Sequence, residues 1–473
     1  MKKVTLILAL FLGFFPMLNA QWISPGDGTN YTLPDLVAAS DGAVTHTGTV
    51  FSFNSDITIS QNDILNIDDQ VTRIDAPGVL ITIKGSVTCT NAARVGIYGA
   101  MAQNQQFSMR FENATDCELK TLYFSDGCGI KLINSDVRFI DCKFVYFTRD
   151  YSNAVIDFMN CNPLIEDCYF LRNEGAAISS PANGQGSPRI LNNSFEENVT
   201  SDLNSPQINL GPGAEDTIFI VGNKIDDDYA SHRVGGISVA DLMGTGSTTV
   251  LLKDNYVVNG RYGYNQQGLT ISSIIEQNQF LDNHFEDNTM NCGSGISIYG
   301  MNENNKATLR NNTITGNLWG ITVINAADVD LGTEDDWGKN QIKDNGNGGV
   351  KYDLYNNSTS DIMAVGNDWG TSNSLIIEEH IVHQNDDPSL GLVTFVPFID
   401  IDAMNETSNM SFTVWPNPAQ GRFMVEGKGK MTISNTLGQI ILNKDIDGKE
   451  SIALPQGLYF VKIGNSTRKI IVE

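Results

Sequence analysis

One repeat constrains this chain more than any other feature. Ala307–Val323 reads ATLRNNTITGNLWGITV: two short alternating runs, then a third after a turn. Asn312 precedes Ile314 by two places, Asn317 follows five after Asn312, and Gly320-Ile321-Thr322-Val323 alternates again. The slot of Asn312 recurs at Asn193, Asn223, Asn255, Asn278, Asn340 and Asn367, each followed two places on by Phe, Ile, Val or Trp. Upstream the slot passes to cysteine in Asp116-Cys117-Glu118-Leu119, Asp141-Cys142-Lys143-Phe144 and Asp167-Cys168-Tyr169-Phe170. From Cys142 to Asn367 there are 225 residues in eight steps, a period of about 28.

Runs this short do not suit helices, which need apolar spacing near 3.6. They read as strands, and every repeat supplies them in the same order. Each strand therefore finds its partner one repeat away, in parallel register. The predicted fold is all-β: a right-handed parallel β-helix with three strands per coil and coils about 4.8 Å apart. Asparagine suits the corner because it tolerates the left-handed conformation. Its amide can also bond the asparagines above and below, making a ladder. A second column, Asn173, Asn198, Asn283, Asn317 and Asn345, predicts another such corner. The pattern N-x-[FIVW]-x-x-N-x-x-G-I-x-[VI] resembles the right-handed β-helix repeat of the pectate-lyase-like superfamily. That fold occurs in polysaccharide lyases, copper-site maturation proteins and many surface proteins.

The start of the chain indicates destination. Lys2 and Lys3 precede the apolar run Val4–Phe15, and Leu18-Asn19-Ala20 supplies a small residue for cleavage, so residues 1–20 read as a secretory signal peptide. No cysteine follows Ala20, which argues against a lipoprotein, and no later apolar run reaches membrane-spanning length. The chain is read as exported, without a membrane span, and monomeric. Charge is uneven. Residues 21–411 hold 20 Lys and Arg against 50 Asp and Glu, whereas residues 412–473 hold 8 against 5. A body of net charge −30 repels nucleic acid, anionic membrane and polyanionic glycans not bridged by cations.

Seven cysteines in an exported chain invite a disulfide framework, but the count is odd. Cys89, Cys117, Cys142 and Cys168 lie about one coil apart, which predicts one column of stacked, unpaired thiols. Cys128, Cys161 and Cys292 fall outside it. None makes C-x-x-C, so no zinc site is expected.

Residues 21–75 depart from the repeat and read as an N-terminal cap. They comprise a turn-rich lead, a short helix over Leu33–Ala39, and strands Thr49–Phe53, Ile57–Ile59 and Ile64–Ile67. Val79–Ile83 and Ser86–Cys89 begin the regular coils, and the β-helix is placed at 76–400. It is predicted to close with a helix over Ser374–Gln384 and a last strand Leu392–Phe398. His380 and His383 with Glu379 lie on that helix, but two histidines without further ligands make no closed metal site. Residues 401–411 are polar and patternless, a linker.

Phe412–Glu473 is a separate alternating module. Its landmarks are Pro416-Asn417-Pro418, Gly421, Leu437-Gly438-Gln439 and Gly457 with Tyr459, in that order. Along its whole length it resembles the type A sorting domain of the type IX (Por) secretion system of Bacteroidetes. The resemblance implies a small β-sandwich, partnership with the type IX secretion machinery, and a destination at the outer-membrane surface or outside the cell.

Catalysis or ligand binding on a β-helix is expected along one strand face. In Gly-Ile-x-[Val/Ile] strands, Ile points inward and x outward. The x row reads Lys131, Asp157, Ser179, Asn209, Ser238, Thr270, Ser297, Thr322 and Lys351. A glycosidase needs two carboxylates about 5–10 Å apart, and the row has one. A calcium-dependent lyase needs several acidic groups on neighbouring coils and a basic acceptor. Asp157 is expected to have neither, and the polygalacturonase motif series is absent. Acidic loops at Asp226-Asp227-Asp228 with His232 and Arg233, at Asp282 with His284 and Glu286, and at Glu334-Asp335-Asp336 match no defined calcium loop. Calcium is kept as an alternative to no cofactor. Trp319, Trp337, Trp369, Tyr262, Tyr264 and Tyr299 could stack on sugars. Trp369 is expected in the core, and Tyr299 facing outward. The reading is a binding or adhesion protein for glycan or another surface, with Tyr299, Asp157, Arg233 and His284 as ligand candidates. The alternative is a polysaccharide lyase or glycoside hydrolase with a loop-borne site.

Overall fold

A computed structural model describes residues 21–68, 70–89, 93–227, 233–244, 246–284, 293–399, 412–436, 438–464 and 466–473. The proposed signal peptide, the 401–411 linker, and Asp228, His232, Glu286, Cys292 and Leu437 lie outside them.

The repeat Ala307–Val323 becomes three strands on three sheets: Lys306–Arg310, Thr313–Thr315 and Trp319–Asn325. Each pairs in parallel with its counterparts one coil away. Among the described residues the first sheet, which contains Trp319–Asn325, has 14 strands, the second 14 and the third 13. The chain visits them in constant order, which is the right-handed parallel β-helix. The buried apolar residues of the strands point inward, so a single core runs from Tyr31 to Phe395.

The asparagine ladder is present. Asn193, Asn223, Asn255, Asn278, Asn312, Asn340 and Asn367 are each nearly or wholly buried. In each rung but the last, the backbone N–H and the side-chain amide both donate to Oδ1 of the next, at 2.8–3.0 Å between Asn340 and Asn367. A further amide proton reaches a main-chain carbonyl, as from Asn312 Nδ2 to Ile275 O at 2.8 Å. Rungs are separated by as few as 23 and as many as 34 residues, so insertions bulge outward without disturbing the corner. The left-handed residue is the one before each rung: Asn192, Asp254, Gln277, Asn311 and Lys339 all have positive φ. Asparagine occupies the slot for its amide, and the turn is made by its predecessor. The second column is interrupted. Asn173 donates to Asn198, Asn198 to Gln207 and Gln207 to Asp227, and the run resumes with Asn283, Asn317, Asn345 and Asp353.

The thiol column does not form as expected. Cys142 and Cys168 continue the ladder, with Cys142 N–H donating to Cys168 Sγ and Cys168 N–H to Asn193 Oδ1. The preceding coil fills that slot with Leu122, because Phe124 is the partner of Phe144. Cys117 instead aligns with Val137 on the second sheet, and Cys89 with Leu119. A Cys-x-Leu and a Cys-x-Phe look alike in sequence but belong to different sheets. All six described cysteines are buried, and Cys117, Cys128, Cys142, Cys161 and Cys168 are free thiols.

Both caps follow from local sequence. Helix α1, Leu33–Ala39, is held by a capping box between Thr32 and Asp35. Helix α2, Ser374–Glu379, is shorter than expected, because His380 closes it and Ile381–Val382 rejoins the first sheet. The last strand is only Val393–Thr394, and beyond it Pro397 lacks the N–H a ladder needs. The described residues of 412–473 form a separate antiparallel sheet with its own core, including Phe423, Val425, Ile433, Val461 and Ile470.

Candidate functional site

Register decides which outward residues are neighbours. Across the first sheet, Lys131, Asp157, Ser179, Asn209 and Ser238 are partners in succession, as the sequence implies. Ser238 then pairs with Asn265, Asn265 with Ser297, Ser297 with Thr322, and Thr322 with Tyr355. Thr270 lies beyond the strand Tyr264–Gly268, and Lys351 belongs to an antiparallel hairpin, so neither is in the row. Each corrected position falls in a coil of irregular length, where counting along the repeat slips.

The row from Asn209 to Tyr355 is the floor of a cleft of about 650 Å³. Gln267, Ile324 and Asn357 extend the floor. Asn204, Arg261, Tyr262 and Trp319 rise along one side. Trp319 packs against Tyr352 and Tyr355, with ring centroids 4.4 and 5.5 Å apart. These three rings form an aromatic shelf at one end. At the other, Arg261 bonds Asn204 Oδ1 and lies 6.0 Å from the Tyr262 ring centre. Burial drives the Tyr262 phenol upward in pKa, so it stays a neutral hydrogen-bonding group. Asn265 Nδ2 donates to Ser238 Oγ at 3.1 Å, and Ser294 and Thr322 hydroxyls share a bond of 2.8 Å. Among the described residues that line the cleft there is no carboxylate, and Arg261 is the one charged group.

The four ligand candidates do not converge. Tyr299 is half-buried and outward-facing, in register between Gln267 and Ile324, which line the cleft although Tyr299 itself does not. Arg233 is an exposed turn residue whose N–H donates to Asp202, and His284 lies exposed after the Leu281 strand. Asp157 is two strands beyond the cleft and is not isolated. Lys131 is its direct partner and Arg110 the next along. Lys131 Nζ sits 4.6 Å from the Tyr151 ring centre. Burial raises the Asp157 pKa, opposed by a hydrogen bond from Ser152 and by the Lys131 charge.

Of the other aromatic candidates, Tyr264 and Trp369 are core residues, and Trp337 is exposed on the surface over Gly366. Asp227 accepts from Gln207, and Asp336 pairs with Arg310. His380 bonds Asp353, and His383 joins Glu378 to the Val393 N–H. Among the described residues no three His, Cys, Asp or Glu come together to hold a metal. Sequence reading missed Arg261, Asn265, Tyr352 and Tyr355. A Tyr two residues before Leu354 and another just after it was the available signal, visible once Leu354 is aligned with Ile321.

In the C-terminal module the landmarks Asn417, Gln439 and Tyr459 serve its own frame. Asn417 donates to Lys469 O and accepts from Ile471 N–H, stapling the entry segment to the last strand. Gln439 bonds Asn435 twice around Gly438, whose φ is +78°, and Tyr459 Oη donates to Pro455 O.

Residues 413–473 match the secretion system C-terminal sorting domain family, and residues 242–374 match a protein family of unknown function, DUF1565. The chain thus carries a β-helix and a sorting tail that directs it to secretion. No curated protein matches it. Among solved structures it is similar to a mutant of a periplasmic alginate epimerase (12% identity, TM-score 0.47, covering 78% of this chain and 81% of that one). It is also similar to a mannuronic acid specific polysaccharide family 6 lyase from human gut microbiota (11%, 0.33, 83% and 94%). A third is the tailspike protein of E. coli bacteriophage HK620 in complex with pentasaccharide (12%, 0.33, 96% and 86%). Among the described residues no helix is long and apolar enough to cross a membrane.

Proposed function

We propose that the chain is a glycan-binding protein, exported by the type IX machinery to the cell surface or the medium, with the cleft from Asn209 to Tyr355 as its binding groove. The observation that carries this reading is an aromatic shelf beside an uncharged floor of hydroxyl and amide groups. Rings offer apolar faces to sugar C–H groups, and the floor offers donors and acceptors at intervals of about 4.8 Å. The five spacings give a footprint of roughly 24 Å, so the ligand is a chain rather than a single sugar. An acidic body and an uncharged floor favour a neutral glycan over a polyanion.

Chemistry on the bond is not what this cleft is built for. Hydrolysis asks for a carboxylate pair and elimination for a positioned base. A screen of the purified protein against a glycan panel, reading both retention and new reducing or unsaturated ends, tests the reading. Retention without product supports it, and retention of no glycan contradicts it. A carbohydrate-active enzyme is the second reading, favoured by the Asp157 carboxyl beside Lys131, Arg110 and Tyr151. Product formation abolished by Asp157→Asn would establish that reading instead.

A further inference from the structure

The sorting tail must be recognised by something, and its landmarks Asn417, Gln439 and Tyr459 are occupied in holding its own frame together. That leaves its exposed surface. The strands Arg422–Asn435, Gly457–Ile463 and Ser466–Val472 are neighbours in one antiparallel sheet. Ile433, Tyr459, Val461, Ile470 and Val472 point into the core and are buried. Alternation puts their neighbours on the opposite face. Register then sets Ile440, Ser434, Phe460 and Lys469 in one row across four strands, with Leu458 and Ile471 paired in the adjoining row. Ile440 is 63% exposed, Ile471 38% and Phe460 36%. Single exposed apolar side chains are ordinary, but adjacent ones on a small module mark an interaction surface.

We propose that this face, centred on Phe460, is the surface by which the export machinery reads the tail. The proposal rests on the identity of residues 413–473 as a sorting domain. The charge on the last two strands fixes the partner's chemistry. Their outward charged residues are Lys462 and Lys469, both exposed, and neither strand places a carboxylate on this face. The tail carries +3 while residues 21–411 carry −30, so a basic, apolar face distinguishes the tail from the cargo it follows. The complementary partner surface is apolar at its centre and bordered by carboxylates. Charge on such a border mainly sets encounter and orientation, while the buried aromatic anchor supplies most of the affinity.

The test is made in the full chain, in the producing cell, by fractionation into periplasm and surface. Phe460→Asp and Ile440→Asp are each expected to lower the surface-to-periplasm ratio by at least about tenfold, the loss that follows removal of a hot-spot side chain. Lys462→Glu with Lys469→Glu is expected to do the same by repulsion, without touching an apolar residue. Lys428→Ala, midway along the long hairpin and outside the stretch that pairs with Gly457–Ile463, keeps normal display. Limited proteolysis of the purified variants must show a folded tail, and the lysine pair serves if Phe460→Asp does not fold. Deleting 413–473 separates the two levels of the argument. A trapped deletion with a fully displayed Phe460→Asp overturns the recognition face and leaves the sorting identity standing. A displayed deletion removes the sorting identity itself.

Discussion

The two halves of the β-helix hold the same fold with different chemistry. Through the N-terminal coils the third sheet is pinned by a stack of phenylalanines. Phe124, Phe144, Phe170 and Phe195 lie nearly parallel, with centroids 4.8–5.0 Å apart. In the C-terminal coils the same column is filled by Ile225, Val257, Phe280, Ile314 and Ile342. There the asparagine ladder takes over, beginning at Asn193, two residues before the stack ends. Upstream of Asn193 the corner is made by Cys168, Cys142 and Leu122, which cannot form a continuous amide chain. Dispersion between rings and hydrogen bonds between amides thus substitute for one another along one axis. The functional surface changes at the same place. The aromatic half presents Arg110, Lys131 and Asp157, and the ladder half an uncharged floor and an aromatic shelf.

The sharpest way to break this comparison is to remove one ring from the stack. Phe170→Ala is expected to cost about 3–5 kcal/mol, the range for emptying a large core site. Urea unfolding followed by near-ultraviolet circular dichroism would measure it, and a loss below 1 kcal/mol would deny the stack its role. Next in size is Asn278→Ala. It strips Oδ1 from two donors of Asn255 and leaves buried amides unpaired, for an expected loss of about 2–3 kcal/mol. Asn278→Asp, which keeps an acceptor but adds a buried charge, should be no better.

A smaller effect of opposite sign sharpens the picture. Cys168→Asn should extend the ladder by one rung toward Cys142 and stabilise the chain by about 1 kcal/mol. No gain would mean that the thiol corner is already as well satisfied as the amide one. The subtlest prediction concerns the thiols themselves. Burial pushes Cys117 and Cys161 up to about 11, because a thiolate there would lose its hydration. Both are raised in the folded state, so their contribution to stability is complete below the ordinary thiol value of 9.0 and lost as pH rises toward 11. Native labelling at neutral pH should be slow, and unfolding should become easier above pH 9. Fast native labelling of either thiol at neutral pH would contradict this.

Much of the architecture is legible in the sequence because its signal is periodic. The ladder slots, the three strand faces, helix α1 and the inward Trp369 all follow from spacing and residue type. What fails does so where spacing is broken. Cys117 imitates the slot of Leu122 because Cys-x-Leu and Cys-x-Phe share an alternation. Spacing puts Thr270 and Lys351 in the outward row, where register puts Asn265 and Tyr355, because the coils carrying those two contain irregular segments. The cleft was only partly visible for the same reason. Trp319, Tyr262 and Tyr299 are recognisable as sugar-stacking types, but the shelf of Trp319, Tyr352 and Tyr355 joins residues of neighbouring coils across an inserted hairpin. Charge pairing across coils is likewise invisible until register is known, which is why Asp157 read as isolated.

The central claim is that the ladder half, not the charged half, holds the ligand. It is tested most directly by calorimetric titration of the neutral oligosaccharide retained most strongly in the panel screen. Trp319→Ala, measured beside Asp157→Asn, should weaken binding on the order of 10- to 30-fold, as loss of a buried aromatic anchor does. Asp157→Asn should leave the affinity and the absence of product unchanged. Affinity lost in Asp157→Asn and kept in Trp319→Ala would contradict the account.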